Sequence, residues 1–348
     1  MIILYISAGC CIFVWLLRII GMKKYKEALS VVLVAILAAA CGRNPENMAP
    51  QHVSALYRTV EDYASMTPDG RLRAFGSDSV ALTAYAEYIT GSAVEDVANV
   101  LSFISESQPV VVFTPAVDSV YPSLEPVENA LGRILSNAAL LGIELPRRSY
   151  AAVVHGRRES VVFVDSVMLI ALNHYLGADY PGYSHWPAYR RALKTPAMLP
   201  YDMAEAIVAT SYPFNASEAT VLSRMLYEGA LSLVRQELAG GTEAASLGYD
   251  QTQMQWLEAH EAQLWKSLVG RGLLYDTSPM LADRLFAPAP ATSLLDAEAP
   301  GRAGRFLGRR IVDAYIRRHP DTSCSFLLSP AFYASESVLA DARYAPRD

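Results

Sequence analysis

Where the folded body of this chain begins is decided by one segment, Met22–Gly42 (MKKYKEALSVVLVAILAAACG). Lys23, Lys24 and Lys26 form a basic start, and Leu29–Leu37 is a short apolar core. The small residues Ala38, Ala39 and Ala40 stand directly before Cys41. This order is the pattern of a bacterial lipoprotein signal. Small side chains let a peptidase close around the backbone, and the Cys41 thiol is the nucleophile that accepts a diacylglycerol. On this reading the mature protein starts at Cys41, hangs from a membrane by lipid, and only the downstream chain has to fold. Ala38 departs from the usual pattern, which has Leu there. The alternative is an uncleaved membrane anchor in which the cysteine is incidental.

A second apolar run, Ile2–Ile20, is broken only by Arg18, and at about 19 residues it is long enough to span a bilayer. Its basic residues follow rather than precede it, which would place its N-terminus outside. The simpler reading starts translation at Met22. The other is a transmembrane hairpin.

Residues 1–40 carry Arg18, Lys23, Lys24, Lys26 and Glu27, so the remaining 308 residues hold 25 basic and 34 acidic side chains, a net charge of −9. An acidic surface argues against nucleic acid and against adhesion to anionic lipid. The length suffices for a large core, as one domain over 51–348 with an α/β half (51–177) and a helical half (178–348). Downstream of the signal the cysteines are Cys41 and Cys324, so with Cys41 acylated no internal disulfide is available.

Gly42–Pro50 reads as a short tether. Apolar spacing predicts helices over His52–Ala64 and Val80–Ser105, and PVVVFT (109–114) reads as a buried strand. Leu124–Leu141 is an amphipathic helix stopped by Gly142. Ser149–Val154 and Ser160–Val164 read as strands joined in a hairpin through His155–Glu159, with a helix over Ser166–Leu176. Beyond Gly177 the pattern is helix and loop. Tyr180–Tyr201 is irregular and aromatic, Ser217–Leu238 is a helix capped by Asn215 or Ser217, and Thr252–Val269 opens on a Thr252/Gln255 capping box. Arg302–Arg318 is a further helix. The fold class is α+β and predominantly helical, a small sheet followed by a helical region.

Six histidines are a small inventory for a metal site, and no HExxH occurs. His260-Glu261-Ala262-Gln263-Leu264 begins like one but ends on Leu, whereas zinc needs two imidazoles one helical turn apart. His260 shares a helical side with Trp256 and Leu264, as a packed histidine would. There is no GxSxG and no Gly-rich phosphate loop, and Cys324 has no paired signature. Glu228, Glu258 and Glu261 could pair for acid–base work or simply form a solvated face. Pro300–Tyr315 (PGRAGRFLGRRIVDAY) is the densest constellation. Gly301, Gly304 and Gly308 make a smooth stripe that lets another backbone approach, and Arg302, Arg305, Arg309 and Arg310 surround it. That arrangement suits an anion clasp, or a packed helix with basic edges.

The segments NHYLGADYPG (173–182), GYDQTQMQWLEAHEAQLW (248–265), GLLYDTSPMLAD (272–283) and PGRAGRFLGRRIVDAY (300–315) together resemble the gliding motility-associated lipoproteins of the GldB type. That family looks distantly similar to zincin metallopeptidases. The resemblance implies a zincin-like scaffold whose HExxH slot falls near Ser223-Arg224-Met225-Leu226-Tyr227, with Ser and Tyr in place of both histidines and Arg in place of the glutamate base. Neither metal nor cofactor is expected there. The implied role is non-catalytic: binding or assembly, with envelope proteins of a motility or secretion machinery, in a protein facing the periplasm from the outer membrane. Tyr227, Glu228, His260, Glu261, Arg302 and Arg305 are the expected lining of a partner groove. The rivals are a metal-dependent hydrolase with unusual ligands and a cell-wall glycan binder using the rings of Tyr180–Tyr201.

Overall fold

Three short strands between residues 148 and 171 divide the molecule into two hydrophobic cores. The computed structural model describes residues 51–346 apart from Glu144, Arg147, His155, Ala216 and Glu218. The signal, Cys41 and the tether lie outside the described residues. Before the sheet come α1 (Leu56–Asp62), α2 (Pro68–Thr90), α3 (Val97–Ser105), α4 (Gln108–Val120) and α5 (Glu125–Leu140). The strands are β1 (Arg148–Ala152), β2 (Val161–Val164) and β3 (Val167–Ala171). After them come α6 (Ala188–Arg191), α7 (Leu199–Ser211), α8 (Val221–Ala239), α9 (Glu243–Leu247), α10 (Gln251–Ala259), α11 (Glu261–Gly270), α12 (Pro279–Phe286), α13 (Ala303–Arg318), α14 (Cys324–Leu327), α15 (Pro330–Tyr333) and α16 (Val338–Ala342). The fold is predominantly helical α+β, as the sequence reads.

The sheet order is β1-β3-β2. Alternate residues of the strands point into opposite cores. Met168 and Ile170 of β3 join the larger core with α5, α7, α8 and α13, while Val167, Leu169 and Ala171 join the smaller one with α1, α2 and α3. Every residue of β3 is therefore buried, which is why its sequence is apolar without alternation.

That same lack of alternation makes 166–176 look helical, and here the structure differs: the segment is β3 followed by a 3-10 turn at Leu172–His174. The expected hairpin between the first two strands is also replaced. β2 pairs antiparallel with β3 through Asp165 and Ser166, Asp165 sitting in the left-handed region at φ 52°, and β1 runs parallel to β3. PVVVFT is helix, not strand. Pro109 takes the first turn of α4, where its missing N–H costs nothing, and Val110, Thr114 and Val117 are buried at helical spacing inside the apolar run. The single helix expected over 80–105 is two, parted at Gly91 (φ 79°) and restarted by the Asp96 cap.

Caps also shift. Thr220, not Asn215 or Ser217, caps α8 by accepting from the Ser223 N–H at 3.0 Å. The capping box lies two residues before the expected one, at Asp250 and Gln253, and the helix breaks at His260 into α10 and α11. No single helix among the described residues is long and apolar enough to cross a membrane, although α3 and α4, bent by 68°, pass by length and composition together.

The crossing of α8 and α13 is closest at Gly229 and Gly308. A Cβ on Gly308 would overlap the Met225 carbonyl, and one on Gly229 would overlap the backbone of Gly308 and Arg309. Of the smooth stripe read in 300–315, Gly308 thus forms the α8 contact, while Gly304 faces Leu285 and Phe286 of α12 and Gly301 faces the Ala289 backbone. Gly308→Ala should cost about 1–3 kcal/mol of unfolding free energy in urea titration, because two backbones must part. Gly76→Ala, in exposed α2 with nothing within 4 Å, should instead add up to about 1 kcal/mol from helix propensity.

Candidate functional site

The close approach of α8 and α13 draws a ladder of ions into the protein. Arg305 Nη2 of α13 lies 2.6 Å from Glu228 Oε2 of α8 and 3.4 Å from Glu205 Oε1 of α7. Arg235 of α8 bonds Glu205 at 2.8 Å and Asp202 at 2.8 Å, and its Nε donates to the Tyr201 carbonyl at 2.9 Å. Arg224 closes on Glu228 at 2.6 Å one helical turn away. Tyr175 donates to Asp202 at 2.7 Å. Glu228, Arg235 and Arg305 are nearly inaccessible, so each charge survives only because partners replace its water. Burial alone would raise Glu205, but Arg305 and Arg235 outweigh it and hold the carboxyl down at about 2. In Asp202 burial wins over Arg235 and the carboxyl is raised.

Arg302 is different. It precedes α13 in the left-handed region (φ 67°), its Nη2 donates to the Gly248 carbonyl at 2.6 Å, and its guanidinium lies over the Tyr249 ring at 5.6 Å. Among the described residues no carboxylate comes within ion-pair distance of it. Burial lowers its pKa to about 10, against the pull of Tyr249. It lines a recess of about 190 Å³ with Tyr189, Met198, Tyr249, Gln253 and Ala289. Ligand sites for drug-sized molecules run from about 300 to 1,000 Å³, so this recess is smaller than those.

The six residues expected in one groove occupy several settings. Glu228 and Arg305 meet directly, with Arg302 at the recess nearby in sequence. The Tyr227 hydroxyl donates to the Tyr212 carbonyl at 2.9 Å, and its ring packs on Phe214 and Tyr333. Glu261 accepts from the Tyr344 hydroxyl at 2.8 Å and pairs with Arg310 at 3.3 Å, in a separate cluster with Glu243 and Glu258. His260 stacks on Trp256 at 4.0 Å and bonds its carbonyl through Nδ1 at 2.7 Å. Among the described residues no group of three or more His, Cys, Asp or Glu side chains could hold a metal ion. In the aromatic segment Tyr183 is buried and stacks on Trp186 at 4.8 Å.

Sequence reading missed Asp202, Glu205 and Arg235. The signal was there: two carboxylates three residues apart in PYDMAEA, and one arginine inside the apolar LSLVRQEL. It also missed a second polar cluster. Lys194 donates to Ser160 Oγ at 2.7 Å, and Ser160 Oγ lies 3.0 Å from His174 Nδ1. Burial, then the Lys194 charge, lowers His174 to about 3, so the ring is neutral.

The arrangement defines a helical α+β protein with a charge-neutralised interior and, at a small recess, Arg302, which has no ion-pair partner among the described residues. This chain belongs to the family described as gliding motility protein GldB, whose model matches residues 45–346. The resemblance carried by 173–182, 248–265, 272–283 and 300–315 is therefore correct, and at family level this is a gliding motility-associated lipoprotein of the cell envelope. No curated protein and no solved structure matches the chain significantly.

An unfolded chain protonates His174 as pH falls through 6.5, whereas the folded one keeps it neutral to about 3. Acid therefore favours the unfolded state across that window, and stability falls with pH. Between pH 7.5 and 5.5, wild type should lose about 1 kcal/mol more than His174→Asn, measured by urea titration at both values.

Proposed function

We propose that this chain is a non-catalytic, lipid-anchored envelope protein that captures a partner segment through Arg302. One observation carries the reading: Arg302 lines a recess without an ion-pair partner among the described residues, while Arg224, Arg235, Arg305, Arg309 and Arg310 all pair with carboxylates. An unpaired guanidinium over an aromatic ring offers two donors in one plane, which fits a carboxylate at a chain end or on an acidic side chain. The anchor would be lipid on Cys41, the location the outer membrane facing the periplasm, and the partner a component of a motility or secretion machinery.

The non-catalytic half of the reading is supported by what fills the slot that the zincin likeness implies. Arg224 is tied to Glu228, and Tyr227 bonds a backbone carbonyl. Glu228 and Glu205 face arginines rather than a vacant coordination position, so neither is placed to activate water. The scaffold would then be a zincin relative without the metal chemistry.

Arg302→Gln should reduce capture of crosslinked partner in intact cells by about tenfold, the loss of one charge-assisted hydrogen bond pair, with urea stability within about 1 kcal/mol of wild type. Undiminished crosslinking would refute the assignment of this recess. A hydrolase reading has one observation in its favour, the Lys194–Ser160–His174 chain, in which burial and Arg190 push the lysine pKa down despite Asp202. Stoichiometric labelling of Ser160 by a fluorophosphonate probe would establish it, and absence of labelling supports the binding role.

A further inference from the structure

The helices α3 and α4 carry more apolar surface than their core needs. Across their 9 and 13 residues the only charged side chain is Asp118, and it is taken by Arg58 at 2.9 Å and by the Tyr57 hydroxyl at 2.7 Å. Leu101, Ile104, Val110 and Val117 face inward. On the outside, Phe103 is 78% exposed, Val111 53% and Val112 52%. The outward stripe of α4 runs Gln108, Val111, Val112, Pro115 and Ser119, bordered by the half-exposed Arg58–Asp118 pair and by exposed Glu106 just before the helix. A solvated helix ordinarily shows water its charged face. Here the two helices pack against each other with apolar side chains left outside.

We propose that this α3–α4 face rests in the headgroup region of the lipid bilayer from which the chain hangs. The proposal rests on the lipid anchor at Cys41 given above. Two features select a bilayer over other occupants. The first is reach. The described chain starts at Gln51, ten residues after Cys41, and ten extended residues span at most about 35 Å. Within five further residues the chain enters α1, which packs directly on both α3 and α4. The acyl chain is thus tethered to the element beside this face. The second is charge. Residues 41–348 carry a net charge of −9, and at this face the one basic group among the described residues, Arg58, is neutralised by Asp118, so contact comes from apolar area rather than from attraction to anionic lipid. Val and Phe side chains entering about 5–10 Å into a zwitterionic interface meet that requirement. Contact of this kind is insensitive to salt, unlike a basic patch. It would also fix the orientation of the body relative to the membrane.

The test places dansyl-alanine at Val112 or, as control, at exposed Glu336 in the full chain purified from membranes and reconstituted into phosphatidylcholine vesicles. Mass spectrometry of the N-terminus reads the lipid on Cys41 separately. Nitroxide-bearing lipid should quench the probe at 112 by about twofold or more at that depth, at low and high salt alike, and leave the probe at 336 unchanged. Val111→Glu with Phe103→Glu, both at exposed positions, should abolish the quenching at 112 without altering the urea midpoint. Equal quenching at 112 and 336, or none at 112, would overturn the proposal even where Cys41 is acylated. A blue-shifted probe at 112 without vesicles, with concentration-dependent sedimentation, would assign the face to a second copy and overturn it likewise. Absence of lipid on Cys41 with quenching at 112 retained would remove the anchor and leave the face.

Discussion

The contact between Gly229 and Gly308 sets the distance on which the interior depends. Without side chains at the crossing, α8 and α13 approach until backbone meets backbone. Charged side chains flanking the crossing on each helix are then forced into the same small volume, with α7 as the third wall. Glu228 and Arg235 come from α8, Arg305 and Arg309 from α13, Asp202 and Glu205 from α7. A wider crossing would leave these groups to water, where pairs are worth little. At this distance they must neutralise each other, and the pairing specifies which helices neighbour which.

Much of the fold was legible because it follows from period and punctuation. The helix stopped by Gly142, the helix over 303–318 and its glycine face, and the segments equivalent to β1 and β2 all read correctly from spacing. What failed were the uninterrupted apolar runs. PVVVFT and VMLIA are each rich in β-branched or long apolar residues, yet one is helix and the other strand. Periodicity carries no information in a run buried on both faces, as β3 is, nor in one whose exposed face is also apolar, as α4 is. Tertiary contacts decide both: β3 is fixed by two strand partners, α4 by Pro109 and by packing on α1 and α3.

The polar residues divide in the same way. The arginine stripe of α13 was visible because four arginines lie within nine residues. Their partners were not, since Glu205 and Glu243 lie 100 and 67 residues away from the arginines they meet. Nor could spacing tell that Arg302, of these four, would have no carboxylate partner among the described residues. Its difference comes from the backbone: a left-handed conformation one residue before the helix turns its side chain toward Gly248 and Tyr249, while Arg305 and Arg309 point to α8.

That division of labour among neighbouring arginines bears on what such an interior can do. A carboxylate serves as base or metal ligand only when its lone pairs are free in the resting state. Here each buried carboxylate of the ladder is met by one or two guanidinium groups, so freeing it would strand a cation in a medium that penalises bare charge by several kcal/mol. Recognition asks less. A guanidinium at a recess, already positioned by a carbonyl and an aromatic ring, gains rather than loses by meeting an anion. The ladder behind it, pairing its carboxylates with its own arginines, leaves none to compete. On the proposed reading, the packing of three helices around ions leaves one largely buried cation, oriented and without a carboxylate partner among the described residues, at the recess.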